Sequence, residues 1–259
     1  YTRHRMVAFD VDPVTHQLTE RWRWKDAGGQ WWGQGYHNFG IADVDMDGRD
    51  EIVFGSMVID DNGKGLSTTG LGHGDAQHTG DFDPYRWGLE HFACNESSPS
   101  NNFRNATTSK IYYRLVGTSD DGRALCGNFT NSYPGSVAKS NGSGVISTVA
   151  DKVLPNVPGF DLNFRIYWDG DLCEEILNSP GTEREAKIDK IVGNSVNRIF
   201  TSNGCKMNNW SKNNPGATGD IIGDWREELL VRTPDNKKLR LYISTDSTVY
   251  RFHSFLEDP

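Results

Sequence analysis

Asp43, Asp45 and Asp47 alternate along the chain, Gly48 follows them, and Glu51 opens the apolar run Ile52-Val53-Phe54. Alternating carboxylates in a loop can turn their oxygens inward together, and a glycine lets the chain bend around what they hold. Hard oxygen ligands of this kind suit Ca²⁺, which takes about six to eight of them in a flexible shell. The spacing is not that of an EF-hand, because the glutamate comes too early and a strand rather than a helix follows it. The pattern reads as a calcium loop opening a β-strand, set against the alternative of a solvated acidic turn.

A second concentration of reactive groups runs through His73-Gly-Asp75-Ala-Gln-His78-Thr-Gly-Asp81-Phe-Asp83, and His37 precedes the first acidic loop. Glycines on both sides of His73 would let the backbone approach a ligand closely. Histidine beside carboxylates can form a mixed metal site or a general acid–base pair. Equally, an aspartate could bond the imidazole and merely fix its loop. Two cations, Arg123 in Asp120-Asp-Gly-Arg123 and Lys206 in Asn203-Gly204-Cys205-Lys206, lie in or just ahead of later loops of the same type. Taken singly, each reads as a solvated charge.

The elements that must position these groups repeat. Asp47-x-x-x-Glu51 is matched by Asp171-x-x-x-Glu175 and Asp224-x-x-x-Glu228, with further acidic positions at Asp169 and Asp220. Asp81-Phe-Asp83 precedes Glu90 by a longer loop, so the carboxylates of all four loops read as calcium ligands, with metal expected in at least one loop, and Gly127 to Val137 keeps the shape without any carboxylate. From Glu51 through Glu90, Val137 and Glu175 to Glu228 the steps are 39, 47, 38 and 53 residues. A period of that size, with several short strands in each, predicts the blades of a β-propeller, about five of them.

The remaining signals agree on an all-β chain. Among 259 residues stand Gly 28, Trp 8, Tyr 9 and Phe 12, and long helical periods are scarce. Arg5 to Val11 and Leu18 to Trp24 read as a hairpin around Asp12-Pro-Val-Thr-His, and Asn62-Gly63 marks another. The charged stretch from Asn178 to Asn194 is expected to be a loop with at most a short helix. A net charge of −8 argues against nucleic acid as a partner, and no apolar run is long enough to span a bilayer. No signal peptide heads the chain, whose start at Tyr1-Thr2-Arg3 already reads as strand, so the native start is expected upstream. Sequons at Asn95, Asn105, Asn128, Asn141 and Asn209 point to a secreted, extracellular setting. The four cysteines show no zinc spacing, and their places relative to the repeats favour Cys94–Cys126 and Cys173–Cys205 among three possible pairings.

Here the sequence resembles a family. His37-Asn38, Ala42-Asp-Val-Asp-Met-Asp-Gly, Thr69-Gly-Leu-Gly-His-Gly-Asp-Ala, Gly80-Asp-Phe-Asp-Pro, Tyr167-Trp-Asp-Gly-Asp-Leu and Gly223-Asp-Trp-Arg-Glu-Glu are together similar to the rhamnogalacturonan lyases of polysaccharide-lyase family 11. The resemblance implies an eight-bladed, Ca²⁺-binding propeller that cleaves the rhamnose–galacturonic acid backbone of pectic rhamnogalacturonan I by β-elimination. It makes residues 1–259 a partial propeller catalytic domain, monomeric once the propeller is complete. It also implies substrate-site cations at Arg123 and Lys206, a substrate-binding turn at Asn203-Gly204, and an active-site calcium held by His37, Asp43 and His73. Arg123 would neutralise the uronate carboxylate and Lys206 would be the base, with His73 as the competing base. Internal or terminal cleavage would depend on loops bordering the cleft.

Two departures stand out. Cys205 replaces the threonine of the family's Asn-Gly-Thr-Lys, and the loop before Val137 lacks the acidic residues of a calcium site. Cys205, with a chain short of a whole propeller, keeps open a reading of another class, a non-catalytic calcium-stabilised propeller that binds glycans or proteins.

Overall fold

The computed structural model describes residues 5–25 and 28–252. The expected strand at Tyr1-Thr2-Arg3 and the closing Leu256-Glu-Asp-Pro259 lie outside them. Regular structure among the described residues is strand, apart from one 3-10 turn at Gly29–Trp31. Among the described residues no helix is long and apolar enough to cross a membrane, which says nothing of strands.

The first hairpin joins β1 (Arg5–Val11) to β2 (Leu18–Lys25), antiparallel. Its turn is held by Asp12, whose Oδ1 accepts the amides of Val14 and Thr15, each at 2.8 Å. Five sheets follow. The first contains β3 (Gly40–Ala42), β4 (Glu51–Phe54), β5 (Met57–Ile59) and β6 (Gly65–Thr68). The second contains β7 (Gly74–Gly80), β8 (Glu90–Asn95), β9 (Ser100–Asn105) and β10 (Ile111–Val116). The third has β11 (Ala124–Gly127), β12 (Val137–Ser140), β13 (Ile146–Ser147) and β14 (Lys152–Val153). The fourth has β15 (Phe164–Ile166), β16 (Glu175–Asn178), β17 (Lys187–Val192) and β18 (Ser195–Thr201), and the last has β19 (Ala217–Gly219), β20 (Glu228–Arg232) and β21 (Leu239–Tyr242).

In every sheet the spatial order is the chain order, so each is a meander. The repeated glutamate opens the second strand each time: Glu51 begins β4, Glu90 β8, Glu175 β16 and Glu228 β20, with Val137 at the head of β12. One sequence period is therefore one sheet.

Residues up to Cys126 together with Ala138–Lys152 form one compact unit; Gly127–Val137 and the residues from Val153 onward form another. In the first unit, Phe82, Phe92, Cys94 and Phe103 pack with Ala124, Cys126, Ala138 and Ile146. In the second, Ile166, Trp168, Leu177 and Ile188 pack with Cys205, Met207, Leu229 and Val231. Burying each of the larger side chains contributes about 1.5–3 kcal/mol. Truncating one, for example Leu177→Ala, costs about 2–5 kcal/mol because a cavity remains.

The structure departs from the sequence reading in two places. In the stretch from Asn178 to Asn194 the expected loop covers only 179–186, and Lys187–Val192 is a central strand. Its charges misled because they are paired, Asp189 with Arg198 and Lys190 with the acidic loop before β16. The cysteines are all free thiols, so neither 94–126 nor 173–205 is bridged. Cys94 and Cys126 fill the first core, and burial pushes the Cys94 thiol up to about 12. The Cys205 sulfur faces the Tyr242 hydroxyl at 3.3 Å, while Cys173 lies half-buried in a loop. One sequon is also closed in the fold, since Asn95 is buried and its Nδ2 donates to Ser56 Oγ at 3.0 Å and to the Gly72 carbonyl at 3.2 Å.

Candidate functional site

The strand-opening glutamates are first of all backbone clamps. Glu51 Oε2 accepts the Val44 amide at 2.8 Å; Glu90 Oε2 accepts those of Phe82 and Asp83, both at 3.0 Å. Glu175 Oε2 takes Trp168 at 2.9 Å and Asp169 at 3.3 Å, and Glu228 Oε2 takes Ile221 at 2.7 Å and Ile222 at 3.0 Å. Each carboxylate thus closes its own loop by satisfying amides that the turn leaves without strand partners. All four are buried, and burial raises each carboxyl above its ordinary value, Glu175 to about 7 with help from the Asp169 charge.

What the second carboxylate oxygen meets differs from loop to loop. In the first, Asp43, Asp45 and Glu51 offer oxygens that lie within 4.8 Å of one another, and Glu51, Asp60 and Asp61 do the same. Glu51 is 1% exposed and its Oε1 has no hydrogen-bond partner. A buried carboxylate oxygen left without a donor is a strong demand for a cation, so this all-oxygen set fits Ca²⁺. Asp47 is used otherwise, accepting the Arg49 amide at 3.0 Å, while Asp43 accepts the amides of Asp47 and Gly48.

The other loops are partly neutralised from within. Asp83 pairs with Arg86 at 3.0 Å, leaving Glu90 Oε1 unpartnered and Asp81 exposed. The carboxylates of Asp169, Asp171 and Glu175 converge on the Lys190 ammonium. Asp220 accepts amides from Gly223, Asp224 and Trp225, and Asp224 pairs with Arg226. The loop before β12 has no carboxylate of its own, and the Asn128 amide goes to Glu174 Oε2 at 2.8 Å.

The histidines form a separate centre in the first unit. His37 Nε2 is 3.1 Å from Asp75 Oδ1, the two imidazoles stand edge to face at 4.8 Å, and His37, His73 and Asp75 form one group of possible ligands. His73, 6% exposed, lies with Nδ1 2.7 Å from the Gly35 carbonyl. A carbonyl only accepts, so Nδ1 donates to it and Nε2, 3.6 Å from Glu96 Oε2, is the ring atom turned toward a possible ligand. Two imidazoles with a carboxylate form a mixed nitrogen and oxygen set that fits a divalent cation. Asp43 therefore falls into a different group from the two histidines, and Asp75 takes the place expected for it. The glycines beside His73 serve packing: a Cβ on Gly74 would lie 2.1 Å from the Cys94 carbonyl oxygen, and one on Gly72 would lie 2.8 Å from Ser97 Cβ.

Arg123 belongs to the first unit and Lys206 to the second. Arg123 is half-buried; its amide donates to Asp121 and its carbonyl accepts from Asn141 at 3.1 Å. Lys206 is half-buried too, with its amide on the Arg232 carbonyl at 2.9 Å. The turn before it is fixed from both sides: Gly204 N–H donates to Glu185 Oε1 at 2.9 Å, and the Asn203 carbonyl accepts from Arg240 at 3.2 Å. Sequence reasoning missed Glu174 and Glu227, whose signal is the Glu-Glu doublet heading β16 and β20. Glu227 Oε2 accepts the Tyr167 amide at 2.8 Å, one repeat back, as Glu174 does for Asn128.

The chain is 45% identical to the rhamnogalacturonan endolyase YesW of Bacillus subtilis strain 168, over 88% of its own length and 36% of that protein's. It is 36% identical to the rhamnogalacturonan exolyase YesX of the same organism, over 100% of its length and 45% of the relative's. The crystal structure of YesW matches all of this chain and 44% of that one with a TM-score of 0.90 at 38% identity. A rhamnogalacturonan lyase from Bacillus licheniformis matches with the same score, identity and coverage. The chain spans less than half the length of these relatives. Over residues 1–259 it matches the model for the C-terminal domain of rhamnogalacturonan lyase family 11, and it belongs to that family.

Proposed function

We propose that this chain is part of a secreted lyase that cleaves the rhamnose–galacturonic acid backbone of rhamnogalacturonan I by β-elimination. The observation that carries the reading is the convergence of His37, His73 and Asp75 in a chain of this family. Five successive meanders, one per sequence period, support a β-propeller to which the chain contributes about five blades. A polymeric substrate and the sequons support action outside the cell, by a monomer whose propeller is complete.

The difficult step is removal of the C5 proton of galacturonate, because the neighbouring carboxylate already repels the developing charge. A divalent cation held by His37, His73 and Asp75, Ca²⁺ in this reading, would draw charge from that carboxylate and acidify the C–H bond. His73, with Nδ1 on the Gly35 carbonyl, can offer Nε2 as a ligand. Arg123 adds a guanidinium whose planar fork matches a carboxylate, on a backbone pinned by Asp121 and Asn141. Lys206 is the base in this reading, and its Nζ would take the C5 proton. The C–H electron pair becomes the C4=C5 double bond, and the glycosidic oxygen leaves C4 with the electrons of the broken bond.

The test is ultraviolet absorbance of the unsaturated uronate product while the full-length protein acts on rhamnogalacturonan I. Absorbance should rise with calcium, stop on chelation and resume on readdition. No rise under either condition overturns the lyase reading, and polysaccharide binding without product would support the non-catalytic alternative.

A further inference from the structure

We propose that Lys190 stands in for the metal ion in the acidic loop before β16, so that this loop holds itself together without a divalent cation. The loop has the same carboxylate pattern as the first one, and Asp169, Asp171 and Glu175 bring their oxygens within 4.8 Å of one another. Their common centre is already taken. Lys190 Nζ bonds Asp169 Oδ2, lies 2.7 Å from Asp171 Oδ2 and 3.2 Å from Glu175 Oε1. Three ammonium hydrogens meet three carboxylates, which leaves no donor for any other partner.

The lysine is delivered by the sheet and does not depend on the loop. Ile176 faces Asp189 across the β16–β17 ladder, so the next position along brings Lys190 alongside Glu175. Its side chain is 16% exposed, and Glu175 is fully buried. Burial alone would favour the neutral amine; the bonds to Asp169 and Asp171 more than offset it and hold Lys190 above its ordinary value, charged throughout the physiological range. A free ion would have to displace a tethered one whose local concentration never falls. The first loop is different, because there Glu51 Oε1 has no hydrogen-bond partner. Hence, of these two loops, only the first should gain stability by mass action when calcium is added.

The experiment counts bound calcium per chain in the full-length protein, by equilibrium dialysis and elemental analysis, with calcium as the sole added metal. Lys190→Met should bind one ion more than wild type and acquire an additional calcium-dependent rise in melting temperature. Asp171→Asn, at a side chain 48% exposed and so safe for folding, should bind as many ions as wild type. The proposal is overturned if Asp171→Asn loses one ion, or if folded Lys190→Met binds no more than wild type. Should Lys190→Met fail to fold, the Asp171→Asn count alone decides. Neither count depends on lyase activity, so failure of the catalytic reading would leave this result standing.

Discussion

The acidic loop before β4 and the one before β16 begin from nearly the same residues and solve the same problem differently. Both end in a buried glutamate that grips a backbone amide through one oxygen. In the first, the other oxygen has no hydrogen-bond partner; in the second, it meets an ammonium group carried by the next strand. The shared part is therefore the clamp, which shapes the turn. The cation is a separate choice, made by whatever the neighbouring strand presents. An alternating-aspartate motif predicts the turn well and the metal only when the adjoining strand is also read.

The largest expected effect contrasts the cation-seeking centre with the site of proton removal. Lys206→Ala should lower kcat by about 10²–10⁴-fold with little change in KM, because a base acts mainly in the transition state. His73→Asn should lower activity in a manner partly restored by excess calcium, since its loss is one of a ligand. If Lys206→Ala keeps near-normal kcat while His73→Asn loses it at saturating calcium, the base is the histidine.

Next comes calcium itself. At ~100-fold excess over its dissociation constant, an ion bound only by the folded state adds about 2.7 kcal/mol. Denaturant titration with and without chelator should show a gain of this order in wild type. Glu51→Gln should reduce it and Glu175→Gln should not; equal losses would erase the distinction between the two loops. A smaller effect tests what they share. Glu51→Ala and Glu175→Ala each leave a buried amide unpaired and should cost about 1–3 kcal/mol in chelator, where calcium plays no part.

The smallest effect separates loss of calcium from loss of stability in acid. His91 is fully buried, and burial followed by the Arg104 charge holds its imidazole well below the ordinary value. In the unfolded chain it titrates near ~6.5, so its contribution is complete above that pH and is lost as pH falls, by about 1.4 kcal/mol per unit. His91→Gln should flatten this slope equally with and without calcium. A slope unchanged by the substitution would place the acid sensitivity in the carboxylates.

Much of this was legible in the chain. The first hairpin and the strand-opening glutamates follow from period-two apolar runs and from acidic turns, both local signals. The strand Lys187–Val192 was missed because Asp189 and Lys190 read as solvent-facing charges, whereas their partners Arg198 and Asp169–Glu175 come from other strands and loops. Asp75 was in view beside His73, yet spacing alone could not say which carboxylate turns toward the imidazoles. The free cysteines were misread for a similar reason: sequence position relative to a repeat says little about whether a sulfur faces its supposed partner or the packed core.

Glu174 and Glu227 reach backward, each accepting a backbone amide from the loop that opens the preceding repeat. Successive repeats of the second unit are thus stitched as well as packed together, and a junction cut between them severs a stitch. Chimeras that exchange a single repeat with a relative will have to carry the following glutamate along with it. The natural module for recombination is a repeat plus the first residues of its successor.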